Sequence, residues 1–169
     1  MKRLFIFLSI ALVASAAWCE DQPRQLDKAN VLPLALDDHF QFRKTELFQN
    51  DPKEFKLTTD PRILFLRERM NYGALTSIDK ARRLGNYFTF FWRADNKSDV
   101  TVRLEYRQEN LGSYVQAKEL DYTGVKGTIK SEFKVVGDDY TQDGRVVAWR
   151  ALLIQNGKIV GLTQSYLWD

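Results

Sequence analysis

The stretch VVAWRALLIQNGKIVGLTQSYLW, residues Val146 to Trp168, decides the fold. At its centre stands Asn156-Gly157, the pair that type I′ turns favour because both central residues take positive φ. The flanks are strand-like, so a two-residue hairpin follows, with Gln155 facing Lys158. The same register pairs Leu153 with Val160, Ala151 with Leu162, Trp149 with Gln164 and Val147 with Tyr166. That face is apolar apart from Gln164, and it reads as core. The opposite face pairs Arg150 with Thr163 and Ala148 with Ser165, and it reads as wetter. Ile154 and Ile159 meet on this second face near the turn. Their meeting predicts either a local exposed apolar patch or a cover supplied by the N-terminal segment.

Upstream of the hairpin, the pattern from Pro61 on has period two with turn residues between runs. Ile63 to Met70 reads as a first strand, broken by Asn71-Tyr72-Gly73. Ser77 to Leu84 has helical spacing, with Ser77 as a cap and Gly85 as a stop. Asn86 to Ala94 carries Phe88, Phe90 and Trp92 on one face and Tyr87 and Phe91 on the other, which marks a central strand. Asp95 to Ser98 reads as a turn. After it, Val100, Val102, Leu104 and Tyr106 face the core, and Thr101, Arg103, Glu105 and Arg107 face water. Ser113 to Leu120 and Ile129 to Val135 are further strands, separated by a turn at Thr123 to Gly127. Gly137 to Gly144 is polar. About seven strands between Ile63 and Trp168 predict an all-β antiparallel β-sandwich. At the level of fold it resembles the immunoglobulin or fibronectin-type architecture. The inter-sheet cysteine pair of antibody domains is absent, and the resemblance carries over no functional residue. The alternative is a small β-barrel, open or closed.

Residues 20–60 are weakly patterned and hold three of the four prolines, Pro23, Pro33 and Pro52. His39 to Phe42 and residues 54–57 alternate briefly as short strands. Phe40, Phe42, Phe48 and Phe55 call for burial, so this irregular lead segment packs on the domain formed by residues 61–169.

Residues 1–19 read as a signal peptide and its cleavage region. Lys2 and Arg3 form a positive start. Leu4 to Ala14 is apolar except for Ser9, and Ala14-Ser15-Ala16 supplies the small-residue site, placing cleavage before Ala17. The run falls well short of the about 20 residues that a spanning helix needs, and no later segment is long enough, so no integral membrane span is expected. The expected location is the periplasm or the exterior. Cys19, the only cysteine, raises the lesser alternative of a lipid-anchored envelope protein. Trp18 directly before it and Ala16 three before it are a poor lipidation pattern.

The chain has 169 residues, 44% of them hydrophobic, enough for one domain with its own core. Its formal charge of +3 falls to +1 once Lys2 and Arg3 leave with the leader. A near-neutral mature chain has no general electrostatic drive toward nucleic acid, and none is expected as a partner.

No catalytic, cofactor or metal residue is assigned. His39 is the single histidine and lies in the weakly patterned segment, so a Ser-His-Asp or Cys-His arrangement has little to draw on. One histidine and one cysteine do not make a zinc site. Gly137-Asp138-Asp139 with Asp143 could gather oxygens around calcium but reads as a polar turn. Glu68, Glu105, Glu119 and Glu132 are the carboxylates that a glycosidase reading would use, and they are assigned to the solvent face. Phosphate-cradling glycine loops and nucleophile elbows are missing.

Aromatic residues remain. Tyr114, Tyr122 and Trp168 are the candidates for an exposed contact surface, since they lie in a weak strand, near a turn and beside the C-terminus. The expected function is an exported, non-enzymatic interaction or accessory module. Its partner would be a protein, met through a sheet edge or an aromatic patch. The alternative is a small-molecule or carbohydrate-binding protein that uses exposed aromatics.

Overall fold

A computed structural model describes residues 22–53 and 60–168. The expected leader, Cys19 and the short strand expected at 54–57 lie outside these residues. The described chain runs β1 (Arg24–Leu26), β2 (Phe40–Asn50), α1 (Pro61–Asn71), α2 (Ser77–Ala81), β3 (Gly85–Gln108), β4 (Gln116–Val136), α3 (Asp138–Asp143), β5 (Val146–Gln155) and β6 (Lys158–Gln164).

The protein is mostly β. Its six strands join one antiparallel sheet in the order β1-β4-β3-β5-β6, and β2 also pairs with β3. They are therefore connected in one sheet, rather than in the two separately bonded sheets of the expected sandwich. The strand count falls because two stretches that read as turns do not reverse the chain. Asp95 to Ser98 and Thr123 to Gly127 lie opposite each other, between the pairs Ala94↔Gly127 and Val100↔Tyr122. They are facing bulges in a single long hairpin. Bulges of this kind add residues on one side and bend both strands. Gly124 and Gly127 take φ of 62° and 88°, and Asp99 Oδ1 accepts from the Gly124 N–H at 2.6 Å.

The bend is sharp. Lys118 and Lys134 stand sixteen positions apart in β4. An extended strand would separate them by roughly 50 Å at about 3.3 Å per residue. Yet Lys118 Nζ donates to the Lys134 carbonyl at 2.9 Å. The hairpin is thus a V with two arms, Gly85 to Ala94 with Gly127 to Val136, and Val100 to Gln108 with Gln116 to Tyr122. On the same side of β3, β2 pairs with the first arm and β5 with the second.

The main core fills the V. Phe88, Phe90, Trp92, Phe133 and Val135 from one arm meet Val102, Leu104, Tyr106 and Leu120 from the other, with Ala151, Leu153 and Val160 from the terminal hairpin. Trp92 Nε1 donates to Ser131 Oγ at 2.9 Å, and this hydroxyl meets Tyr122 Oη at 2.7 Å. The buried indole N–H is thereby satisfied within the core. Where the arms close, Asp37 N donates to the Val160 carbonyl at 2.9 Å, and β2 packs near β6. Among the described residues β2 and β6 share no ladder, and β4 keeps an unpaired outer edge from Leu120 to Val136. The barrel alternative is met only in its bend.

The terminal hairpin turns where the sequence places it. Asn156 and Gly157 take φ of 50° and 71°, and Gln155 pairs with Lys158. Beyond Ile154↔Ile159 the register slips by one, giving Leu153↔Gly161, Leu152↔Leu162 and Ala151↔Thr163. The cause is a bulge at Val160. It turns Val160 into the core and sets Gly161 beneath the chain of β2, where an added Cβ would lie 3.1 Å from the Phe40 carbonyl. Leu162 consequently joins the second face, and Tyr166 is exposed.

That second face is covered, which corrects the assignment of Arg103 and Glu105 to water. Both are buried, at 6% and 2% exposure. Leu32 of the lead segment packs on Leu152, Ile154 and Ile159, and Ile159 N donates to the Pro33 carbonyl at 2.9 Å. The cover foreseen from the Ile154–Ile159 pair is thus the N-terminal segment. This segment also supplies strands β1 and β2 to the sheet.

Residues 63–70 form helix α1 and not a strand. Asp60 caps it by accepting from Arg62 N at 2.9 Å, proline occupies the first turn and Arg69 the last. Such end signals, with leucine, arginine, glutamate and methionine between, favour helix over the brief alternation of Ile63 and Phe65. Helix α2 is capped by Thr76, whose hydroxyl accepts from Asp79 N while Asp79 reaches back to Thr76 N.

Candidate functional site

The three aromatic candidates do not share a surface. Tyr114 is exposed at 58%. Tyr122 is half-buried; its ring meets Trp92 edge-on at 5.5 Å and its hydroxyl is engaged with Ser131. Trp168 is buried at 7%, between the guanidinium groups of Arg107 and Arg150, which lie 4.7 and 4.8 Å from its ring. Its expected exposure is therefore corrected. Residues 166–168 form a short 3-10 turn, and the indole face attracts both cations.

The carboxylates also fall differently from expectation. Glu105 and Glu119 are neighbours on the covered face. Arg103 Nε donates to Glu119 at 2.7 Å, and Arg150 Nε donates to Glu105 at 2.6 Å. Arg24 reaches Glu119 at 2.8 Å, and the Asn30 carbonyl accepts from Arg103 at 2.9 Å. Every carboxylate in this ladder is already bound by an arginine, so the ladder ties the lead segment to the sheet. Glu68 lies on α1, and Glu132 pairs with Lys130. Asp139 lies in the first turn of α3 and sits 3.4 Å from Lys118 Nζ. His39 lies 3.6 Å from Asp95 at the surface. Among the described residues no group of three or more histidine, cysteine, aspartate or glutamate side chains could hold a metal ion. Nor is any described helix long and apolar enough to cross a membrane.

The V is open at its mouth, along β4. A cleft of about 500 Å³ lies there, walled by Lys118, Leu120 and Tyr122 from one arm and by Lys130, Glu132, Lys134 and Val136 from the other. Gln22 and Pro23, just before β1, form its rim. Two carbonyls of the unpaired edge point into it. Lys118 Nζ caps the carbonyl of Lys134, and the Tyr122 hydroxyl reaches that of Lys130 at 3.4 Å. Because successive residues of a strand direct their backbone groups to opposite sides, the N–H and C=O of Glu132 point the same way.

A second cleft of about 410 Å³ adjoins the first across Lys134 and Val136. It is walled by Arg69 and Met70 of α1, Arg82 and Arg83 after α2, and Tyr87, Thr89 and Glu132 of the sheet. Arg83 is committed to this architecture, donating to the carbonyls of Met70 and Tyr72.

These lysines and Arg69 escaped sequence reasoning, whereas the adjacent Arg82 and Arg83 are a possible local basic patch that the sequence reads as a solvated face. Lys130, Glu132 and Lys134 carried a signal, the alternation of a polar strand face. Lys118 joins them only because β4 folds back upon itself, and no local pattern announces that. The chain matches no protein-family model, no curated protein and no solved structure.

Proposed function

We propose that this chain is an exported, non-enzymatic interaction module that takes an extended segment of a protein partner as an added strand on β4. One observation carries the reading: β4 has no strand on its outer side from Leu120 to Val136 among the described residues, and this edge opens into a cleft. An unpaired row of N–H and C=O groups is a template for another chain. The periplasm or the exterior is the proposed location, on the strength of the leader that the sequence predicts.

Display selection of peptides on the folded protein tests the reading. Enriched peptides should protect the Lys130, Glu132 and Lys134 amides from hydrogen exchange. Glu132→Pro, which removes one outward N–H at an edge where proline is tolerated, should abolish their binding while far-UV circular dichroism stays unchanged. Peptides that protect only other regions, or turnover of any substrate by the purified protein, would sink it.

A second reading is favoured by the cleft's volume, which falls within the roughly 300–1,000 Å³ of small-ligand sites. In it, a small molecule or glycan occupies the mouth of the V. Tyr122 is the single ring in the wall and its hydroxyl is engaged, so stacking has a narrow platform. Tryptophan fluorescence titrated with soluble glycans separates the readings, since Trp92 touches Tyr122. A saturable change lost in Tyr122→Ala, with circular dichroism unchanged, would put this second reading first.

A further inference from the structure

We infer that the segment accepted by the β4 edge is acidic; this rests on the strand-addition reading above and names the partner's chemistry. The two adjoining clefts are walled by six cationic side chains, Lys118, Lys130, Lys134, Arg69, Arg82 and Arg83, and by one carboxylate, Glu132. The whole chain carries only +3. Lys118 also meets Asp139 and Lys130 pairs with Glu132, and with both carboxylates counted the walls of the two clefts stay net positive.

The charge has a particular arrangement. Lys130 and Lys134 are exposed and flank Glu132 on one face of the unpaired strand, so an added strand would meet a cation at two of these three same-face positions. Arg69 and Arg82 line the adjoining cleft, which lies beside Glu132, Lys134 and Val136 and reaches across to Tyr87 and Thr89 of β3. Lysine on an edge also keeps like edges apart, and two copies of this edge would repel. An acidic segment turns that repulsion into selection, gaining attraction where a second copy is rejected. A phosphate or sulfate polymer would meet the cations but leave the outward N–H groups of Lys130, Glu132 and Lys134 unpaired, the Lys130 and Lys134 carbonyls being met by Tyr122 and Lys118. The combination of edge and charge therefore favours a peptide.

The test uses three labelled peptides of about eight residues, roughly 26 Å long when extended. Each alternates threonine with aspartate, asparagine or lysine. Fluorescence anisotropy should show the aspartate peptide binding and the lysine peptide failing. Raising salt from about 0.05 to about 0.5 M should weaken binding strongly. Lys130→Glu with Lys134→Glu should weaken it at least about tenfold, and Glu132→Pro should abolish it, with circular dichroism unchanged in both variants. Equal binding of the aspartate and asparagine peptides, both lost in Glu132→Pro, would overturn the acidic inference and leave strand addition standing. Failure of all three peptides would overturn both. Heparin or the aspartate peptide binding Glu132→Pro as well as the unmodified protein would assign the groove to polyanions in general and overturn the peptide inference.

Discussion

Trp168 is held by two arginines rather than by a greasy pocket, and its removal should be felt as lost packing on both. Trp168→Ala should destabilise the protein by about 3 kcal/mol, the lower end of large aromatic truncations. Tyr114→Ala, at an exposed site, should stay within about 0.5 kcal/mol. Urea unfolding of the two variants checks the contrast. Arg103→Met should also cost about 3 kcal/mol, because it strips a buried cation from Glu105 and Glu119, and each of these keeps only one other arginine. The phenols give a pH dependence. Burial raises the pKa of Tyr106, whose hydroxyl is tied to Gln116 at 2.9 Å, and burial raises that of Tyr87 as well. Both stay protonated in the folded state where an unfolded chain would lose the proton. Their contribution is fully present below about pH 10 and is lost as pH climbs toward the raised values. Tyrosinate absorbance should show these two ionising only with unfolding, and Tyr106→Phe should flatten the alkaline limb of the stability curve. Trp168 was hard to read from sequence because a ring next to a chain end has no neighbours in sequence to show what covers it. Trp92 and Phe90 were legible because alternation with covered faces on both sides marks a central strand.

Elements were legible where their signal is local. Asn156-Gly157 specifies its turn through backbone conformation alone, and the hairpin formed there. Its register beyond Ile154 depends on how Gly161 passes beneath β2, a contact between residues far apart in sequence. Helix α1 lost to a strand reading because Ile63 and Phe65 alternate, although Asp60-Pro61 is an N-terminal helix signal. The hairpin bend was hidden because Asp95 to Ser98 and Thr123 to Gly127 have the composition of reversing turns, and only their mutual pairing reveals bulges. The start of β3 is tightly constrained. Gly85 has φ of 147°, and a Cβ there would stand 2.1 Å from the Val135 carbonyl. Gly85→Ala should therefore cost at least about 3 kcal/mol, since backbone must move in the centre of a three-strand junction. Thermal unfolding followed by circular dichroism checks this, with Gly112→Ala, where nothing lies near the added atom, as the milder comparison.

The whole molecule is organised by one strand. β3 passes through both arms of the V and pairs with β2, β4 and β5, so neither arm keeps its face of the core without the other. Tryptophan fluorescence, reporting Trp92 and Trp149, and far-UV circular dichroism should give coincident urea transitions. Separate midpoints would mean that the arms unfold independently. The sequence revealed the mostly β, antiparallel character because alternation is a property of single strands. It did not reveal the mouth of the V, which exists only when two ends of β4 meet. The doubled β4 also bears on how fast the chain reaches this state. The β3–β4 hairpin closes from neighbouring sequence, but β1 finds its place on β4 from more than ninety residues away, as Arg24 and Glu119 show. Such distant pairings put the protein among domains of high contact order, which fold in milliseconds to seconds. The long hairpin should be collapsed first, and the lead segment should be the last part to lock.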